Sequence, residues 1–146
     1  MTRHFTLEQA QRLLPEIEGL LRDAMYKHAE FQEAELELRR MQREVELSGG
    51  RRVDGGHAAE LKQKHDANAQ SLAEALTTIH DMGVQVKDLE IGLIVFPTRY
   101  RGEEVLLCWR LGEPRIEWWH SPADGFRGRK PINREFVESH QGDREN

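Results

Sequence analysis

From residue 13 onward, apolar side chains recur at alternating spacings of four and three: Leu13, Ile17, Leu20, Ala24, then Phe31, Ala34, Leu38, Met41 and Val45, with Lys27 the one polar member. A stripe of that period belongs to a long amphipathic helix with a coiled-coil-like seam. Its start is marked by Thr6 as N-cap with Gln9 three residues later, a capping box, and by Phe5 and Ala10 as a hydrophobic staple. Pro15 lacks the amide that an interior helical position donates. It predicts a short helix at 7–13, a bend, and a long helix from Pro15 to residue 47. Residues Ser48 to Gly56 are rich in Gly and predict a turn. A second stripe then runs through Ala58, Leu61, His65, Asn68, Leu72, Ala75, Ile79 and Met82, ending at Gly83.

Two helices joined by a short loop fold back antiparallel, so 7–47 and 57–82 predict a helical hairpin. Positions 15–47 span about 50 Å and 57–82 about 39 Å at about 1.5 Å per residue. The resulting overhang needs a cover, either the short first helix or a second molecule.

Beyond Gly83 the period changes to two. Ile91–Phe96, Val105–Arg110 and Ile116–His120 are short β-type runs separated by Arg101-Gly102 and by Leu111-Gly112-Glu113-Pro114. They predict a three-stranded antiparallel meander over 91–120. The fold class is therefore α+β, one domain over 1–146, with a helical hairpin packed on the meander. Residues 121–138 form a covering segment and 139–146 a disordered tail.

Turn positions fix register, and register fixes faces. With these turns, Phe96 opposes Leu107, Ile94 opposes Trp109, Leu107 opposes Trp118 and Val105 opposes His120. One face then carries Ile94, Phe96, Val105, Leu107, Trp109, Ile116, Trp118 and His120, a core for the helices. The other carries Ile91, Leu93, Val95, Leu106, Cys108, Arg110, Arg115, Glu117 and Trp119. That face is too apolar for water and too charged for a dry core. Its expected cover is the segment with Phe126, Pro131 and Ile132, or a second copy of the chain seated on Leu93, Leu106 and Trp119. The same parity puts Cys108 and His120 on opposite faces, which argues against a shared metal, and no metal ligand is assigned.

Composition narrows the function classes. The chain has 146 residues with 38% hydrophobic and 32% charged, and its mean hydropathy is -0.73. No window approaches the roughly 18 apolar residues of a membrane span, and Met1 to Leu7 contains no apolar leader core. One cysteine, Cys108, forms no internal disulfide. The chain reads as soluble and cytoplasmic. Net charge is -5, and residues 97–134 carry a mild basic excess of 8 Lys/Arg over 5 Asp/Glu. Nucleic-acid binding through that segment ranks third among the expected functions.

Candidate chemistry clusters on the meander. Glu113 with Arg110, Arg115 and Glu117 could form an ion network beside Cys108 and Trp119, with Arg110 and Glu117 meeting diagonally across strands. His120 is the candidate imidazole, a donor to Asp88, Glu90 or a backbone carbonyl. Arg129 belongs to a cationic loop, Gly125-Phe126-Arg127-Gly128-Arg129-Lys130, able to cradle an anion. The histidines on the helices read as surface residues, and no catalytic triad is evident.

Several segments together resemble a known family. They are Phe5-Thr6-Leu7-Glu8-Gln9-Ala10 with Leu13-Leu14-Pro15-Glu16, then Val86-Lys87-Asp88-Leu89-Glu90-Ile91-Gly92-Leu93 and Phe96-Pro97. Leu107-Cys108-Trp109-Arg110-Leu111-Gly112-Glu113-Pro114, Trp119-His120, Gly125-Phe126, Gly128-Arg129 and Pro131-Ile132 complete them. The chain resembles the bacterial family called domain of unknown function 2203, most specifically from Val86 to Ile132. The resemblance brings no established activity to transfer, and it leaves the cofactor unknown. Val95 stands where the family typically has an acidic residue before Phe-Pro, so an oxygen ligand of any site there is missing. The leading expectation is an assembly module that forms a homodimer. The alternative is a metal- or anion-binding enzyme with its site on the meander.

Overall fold

The computed structural model describes residues 2–49 and 55–144. Helix α1 spans Leu7–Leu47 and α2 spans Gly55–Asp81. Strands β1 (Gln85–Asp88), β2 (Leu93–Tyr100), β3 (Glu103–Arg110) and β4 (Trp118–His120) follow. After a 3-10 turn at Phe126–Gly128 come β5 (Lys130–Pro131), α3 (Arg134–Ser139) and β6 (His140–Gln141). The α+β class holds, with two long helices and one antiparallel sheet. Among the described residues that sheet has six strands rather than three, in the order β1-β2-β3-β4-β5 with β6 on the far end of β2. The expected turn at Ser48–Gly56 falls largely outside the described residues. No helix among them is long and apolar enough to cross a membrane. Two compact units emerge, one from residues 23–76 and one from 1–22 with 77–146.

In the helical unit the two stripes face each other. Ala24, Ala34, Leu61 and Ala75 are buried, and the Phe31 and His65 rings meet at 4.7 Å. Lys27, the polar member of the stripe, pairs with Asp23 at 2.9 Å, and Arg39 pairs with Glu35 at 3.4 Å, each one helical turn apart.

In the sheet unit the predicted capping box is present. Gln9 donates its amide to Thr6 Oγ1 at 3.1 Å, and the Thr6 amide donates to Gln9 Oε1 at 3.0 Å. Phe5 and Ala10 are fully buried behind it. The separate short helix expected at 7–13 is not found, because α1 runs unbroken from Leu7 to Leu47 with Pro15 inside it. Pro15 lies on the exposed side, where water can take the carbonyl it leaves without an amide. The buried side, Ala10, Leu14, Ile17 and Leu21, keeps the helix continuous against a proline penalty of about 3 kcal/mol.

The segment before α1 is extended and held from two directions. Phe5 donates its amide to the Pro97 carbonyl at 2.7 Å, and Asp143 donates its amide to the His4 carbonyl at 2.9 Å. A Cβ at Gly142 would stand 2.7 Å from the Thr6 nitrogen, so only glycine allows this approach. The tail expected to be disordered from 139 is thus ordered through 144. Its backbone groups pair with β2 and with the N-terminal segment instead of water.

The first turn behaves as predicted. Arg101 and Gly102 both have positive φ, 53° and 78°, the geometry of a two-residue hairpin. Ile94 faces Trp109, Val95 faces Cys108 and Phe96 faces Leu107. The second turn does not. Residues 111–117 form a broad connection in which Trp109 Nε1 donates to the Glu113 carbonyl at 3.1 Å and the Ile116 amide donates to Gln11 Oε1 at 3.0 Å. The third main strand therefore begins at Trp118, not Ile116. It pairs Leu106 with His120, Leu107 with Trp119 and Cys108 with Trp118. That is one residue away from the expected register, and it exchanges the faces of all three residues.

Trp119 consequently joins Ile94, Phe96, Leu107 and Trp109. At one end of that face it stacks on Phe136 at 5.0 Å, with Tyr100 at 5.2 Å. Trp118 and His120 join Leu93, Val95, Leu106 and Cys108. Ile91 is in neither face, since it lies in the turn before β2 and is 41% exposed.

Candidate functional site

The corrected register makes the second face a site. Leu93, Val95, Leu106 and Cys108 form a buried cluster against which Trp118 and Phe126 pack. The chain's own 121–132 segment is the cover, one of the two occupants the sequence suggested. Leu93 and Leu106 are 7% and 6% exposed, already withdrawn from solvent, and Trp119 lies on the opposite face. The three candidate interface residues therefore do not share a surface.

The cover is pinned by Arg129. Its Nη1 donates to both carboxylate oxygens of Glu113, at 3.1 and 3.0 Å, and both side chains are 16% exposed. Glu113 Oε1 also accepts the Arg110 amide at 2.7 Å. The guanidinium lies 4.3 Å from the Phe126 ring centre and 5.0 Å from that of Trp118, cation–π distances. Burial pushes the Cys108 thiol above its ordinary pKa, and the adjacent Arg129 charge offsets part of that rise. This thiol is held neutral and covered, the opposite of an activated nucleophile.

The other predicted partners separate. Glu117 pairs with Arg115 at 2.9 Å, not with Arg110, whose guanidinium lies 5.8 Å from the Phe126 ring centre. The diagonal pair required the expected register and is lost with it. Lys130 sits over Trp119 at 5.0 Å.

Beside the pinned cover lies a cavity of about 350 Å³. Its apolar wall comes from Leu93, Leu106, Pro122 and Phe126. Its polar wall comes from Gln85 and Lys87 on β1, Glu104 on β3 and His120 on β4. His120 is 4% exposed, and its Nδ1 is 2.8 Å from the Ser121 carbonyl. A carbonyl only accepts, so Nδ1 carries the proton and Nε2 is the uncommitted nitrogen. The backbone carbonyl foreseen as a partner is thus that of Ser121, on the face opposite to the one expected. Lys87 makes no ion pair with any described residue.

Glu104 is held from behind. Its Oε1 accepts from His4 Nε2 at 2.9 Å, and His4 is 8% exposed. The other ring nitrogen, buried and without a hydrogen bond, lies 3.5 Å from Asp143 Oδ1. Asp143 Oδ2 accepts the His4 amide at 3.0 Å. That backbone hydrogen bond, with the His4 ring and Arg99 nearby, holds the Asp143 carboxyl below the usual range against the opposing effect of burial.

Sequence reading found His120 and Arg129 but missed Gln85, Lys87, Glu104, His4 and Asp143. Alternation from Leu106 would have placed Glu104 on this face. No local signal marks His4 or Asp143, whose meeting depends on both chain ends. Cys108 and His120 do share a face, contrary to expectation. Among the described residues, however, no group of three or more His, Cys, Asp or Glu side chains could hold a metal ion.

Neither the curated proteins nor the solved structures contain a match to this chain. A family model described as "Uncharacterized conserved protein (DUF2203)" matches residues 3–132. That span takes in both helices, β1 to β4 and the whole cover, Arg129 included, so the chain belongs to the DUF2203 family.

Proposed function

We propose that the protein binds a small molecule through an anionic group in the sheet cavity, the anion-binding reading of the meander. The observation that carries it is the pairing of two uncommitted donors on one wall. Lys87 has no carboxylate partner among the described residues, and Gln85 stands two residues away on the same strand. A carboxylate or phosphate placed there gains charge-assisted hydrogen bonds that the protein itself does not satisfy. A volume of about 350 Å³ is near the small end of ligand pockets, roughly 300–1,000 Å³, which suits a metabolite rather than a polymer. Calorimetric titration with small monocarboxylates and with inorganic phosphate tests this. Saturable binding that weakens several-fold in Lys87→Gln is expected, and no saturable binding to the wild-type chain overturns it.

Self-association is a second reading, and it rests on the helical unit rather than the sheet. Tyr26, Leu36 and Leu47 are 65%, 55% and 81% exposed there. Leu38, Met41, Val45 and Ala58 line an open apolar groove of about 430 Å³. A second copy would cover such surface. Light scattering giving twice 17.0 kDa supports that reading, and a monomer mass at all concentrations removes it. Nucleic-acid binding has little support. Of the eight Lys/Arg in 97–134, Arg99, Arg101, Arg115, Arg129 and Arg134 are already paired with carboxylates.

A further inference from the structure

Resting on that anion site, we infer that the ligand is a zwitterion, a free amino acid whose ammonium group is received at Glu104 and His120. The cavity wall is divided by chemistry. Gln85 and Lys87 offer donors from β1, whereas the groups on β3 and β4 accept. On Glu104, Oε1 is taken by His4 and Oε2 has no partner among the described residues. On His120, the Nδ1 proton is committed to the Ser121 carbonyl, so Nε2 is the nitrogen left to meet a ligand.

A simple dianion fits poorly here, because its second charge would meet the Glu104 carboxylate. A simple amine would leave Lys87 facing no counter-charge. One positive and one negative protein group on the same small wall match a ligand that carries both charges and no net charge. The remaining wall, Leu93, Leu106 and Phe126, suits an apolar side chain. The His4 contact has a purpose in this reading. By fixing Oε1 from a buried position, it orients Glu104 before the ligand arrives and reduces the ordering that binding would require. His4 and Asp143 are positioning residues and do not touch the ligand.

The test uses the full chain. Thermal-shift screening covers the free L-α-amino acids together with β-alanine and γ-aminobutyrate. The strongest binder is then compared by calorimetry with its analogue lacking the amine and its analogue lacking the carboxylate. We expect the amino acid to bind roughly tenfold more tightly than the deaminated acid, the worth of one charge-assisted contact. Glu104→Gln should bring that ratio close to one. Lys87→Gln, at an exposed site without a partner, should weaken the amino acid and the deaminated acid alike while leaving the melting temperature unchanged. Equal affinity for the amino acid and the deaminated acid overturns the zwitterion and leaves the anion site standing. Binding of the amine alone, or of nothing in the panel, overturns both.

Discussion

The helical unit pairs charges that are close in sequence, whereas the sheet unit adds pairs between distant segments. On the helices, ion pairs lie one turn apart along the chain, as in Arg39 with Glu35 and Lys27 with Asp23. They involve exposed or half-exposed groups and join neighbours in sequence, so each contributes little. In the sheet unit, Arg129 reaches back 16 residues to Glu113 and His4 reaches 100 residues to Glu104. These contacts are partly buried and tie distant segments together. Local pairing keeps a helix soluble, whereas distant pairing positions a cover and a carboxylate. The cavity lies where the second kind of contact occurs.

This contrast sets an order of expected effects. Trp109→Ala removes a ring that is 1% exposed and bonded to the Glu113 carbonyl. It should cost about 3–5 kcal/mol, read as a lower urea midpoint. Phe31→Ala, at a half-buried site on the helices, should cost only about 1–2 kcal/mol. Equal losses from the two variants would break the comparison.

Arg129→Ala leaves Glu113 without its guanidinium and should cost about 2–3 kcal/mol. It also loosens the cover, so Cys108 should be alkylated by iodoacetamide much faster than in the wild type. An unchanged labelling rate would mean that Phe126 covers the thiol without the pin.

The acid side of the stability profile sharpens the picture further. Asp143 has a lowered pKa in the fold, so its contribution is complete above the ordinary carboxylate value of about 4. It is lost as pH falls through the lowered folded-state pKa. Asp143→Asn should flatten the acid limb of the stability curve in that window. A limb of undiminished slope would show that other carboxylates set it. Least of all, Arg39→Ala on the exposed helix should shift stability by no more than about 0.5 kcal/mol, and a larger loss would show that the outer pairs do matter.

The same division explains what the sequence revealed. The helices were legible because a period of seven repeats over many turns and one proline cannot outweigh it. Gly83, with φ of 91°, follows α2 as expected. The first hairpin was legible because Arg101-Gly102 admits one tight turn and hence one register. The second was not, because Gly112-Glu113-Pro114 also permits a broad connection. There Trp109 and Glu113 bond within the loop, and the strand that follows pairs with β3 one residue out of the expected register. That shift moved Trp119 to one face and His120 to the other. Strand β1 was overlooked because four residues, two of them charged, carry too little alternation to register as a strand. The His4–Asp143 contact was invisible in principle, since it needs both chain ends placed against β2.

The most direct test of the cavity as a ligand site is a titration of the wild-type protein with a small monocarboxylate, followed by backbone amide NMR. Saturable shifts centred on Lys87, Leu106, Gly125 and Phe126, and diminished in Lys87→Gln, are the predicted result. Shifts that never saturate, or that centre on the helices instead, would contradict the account.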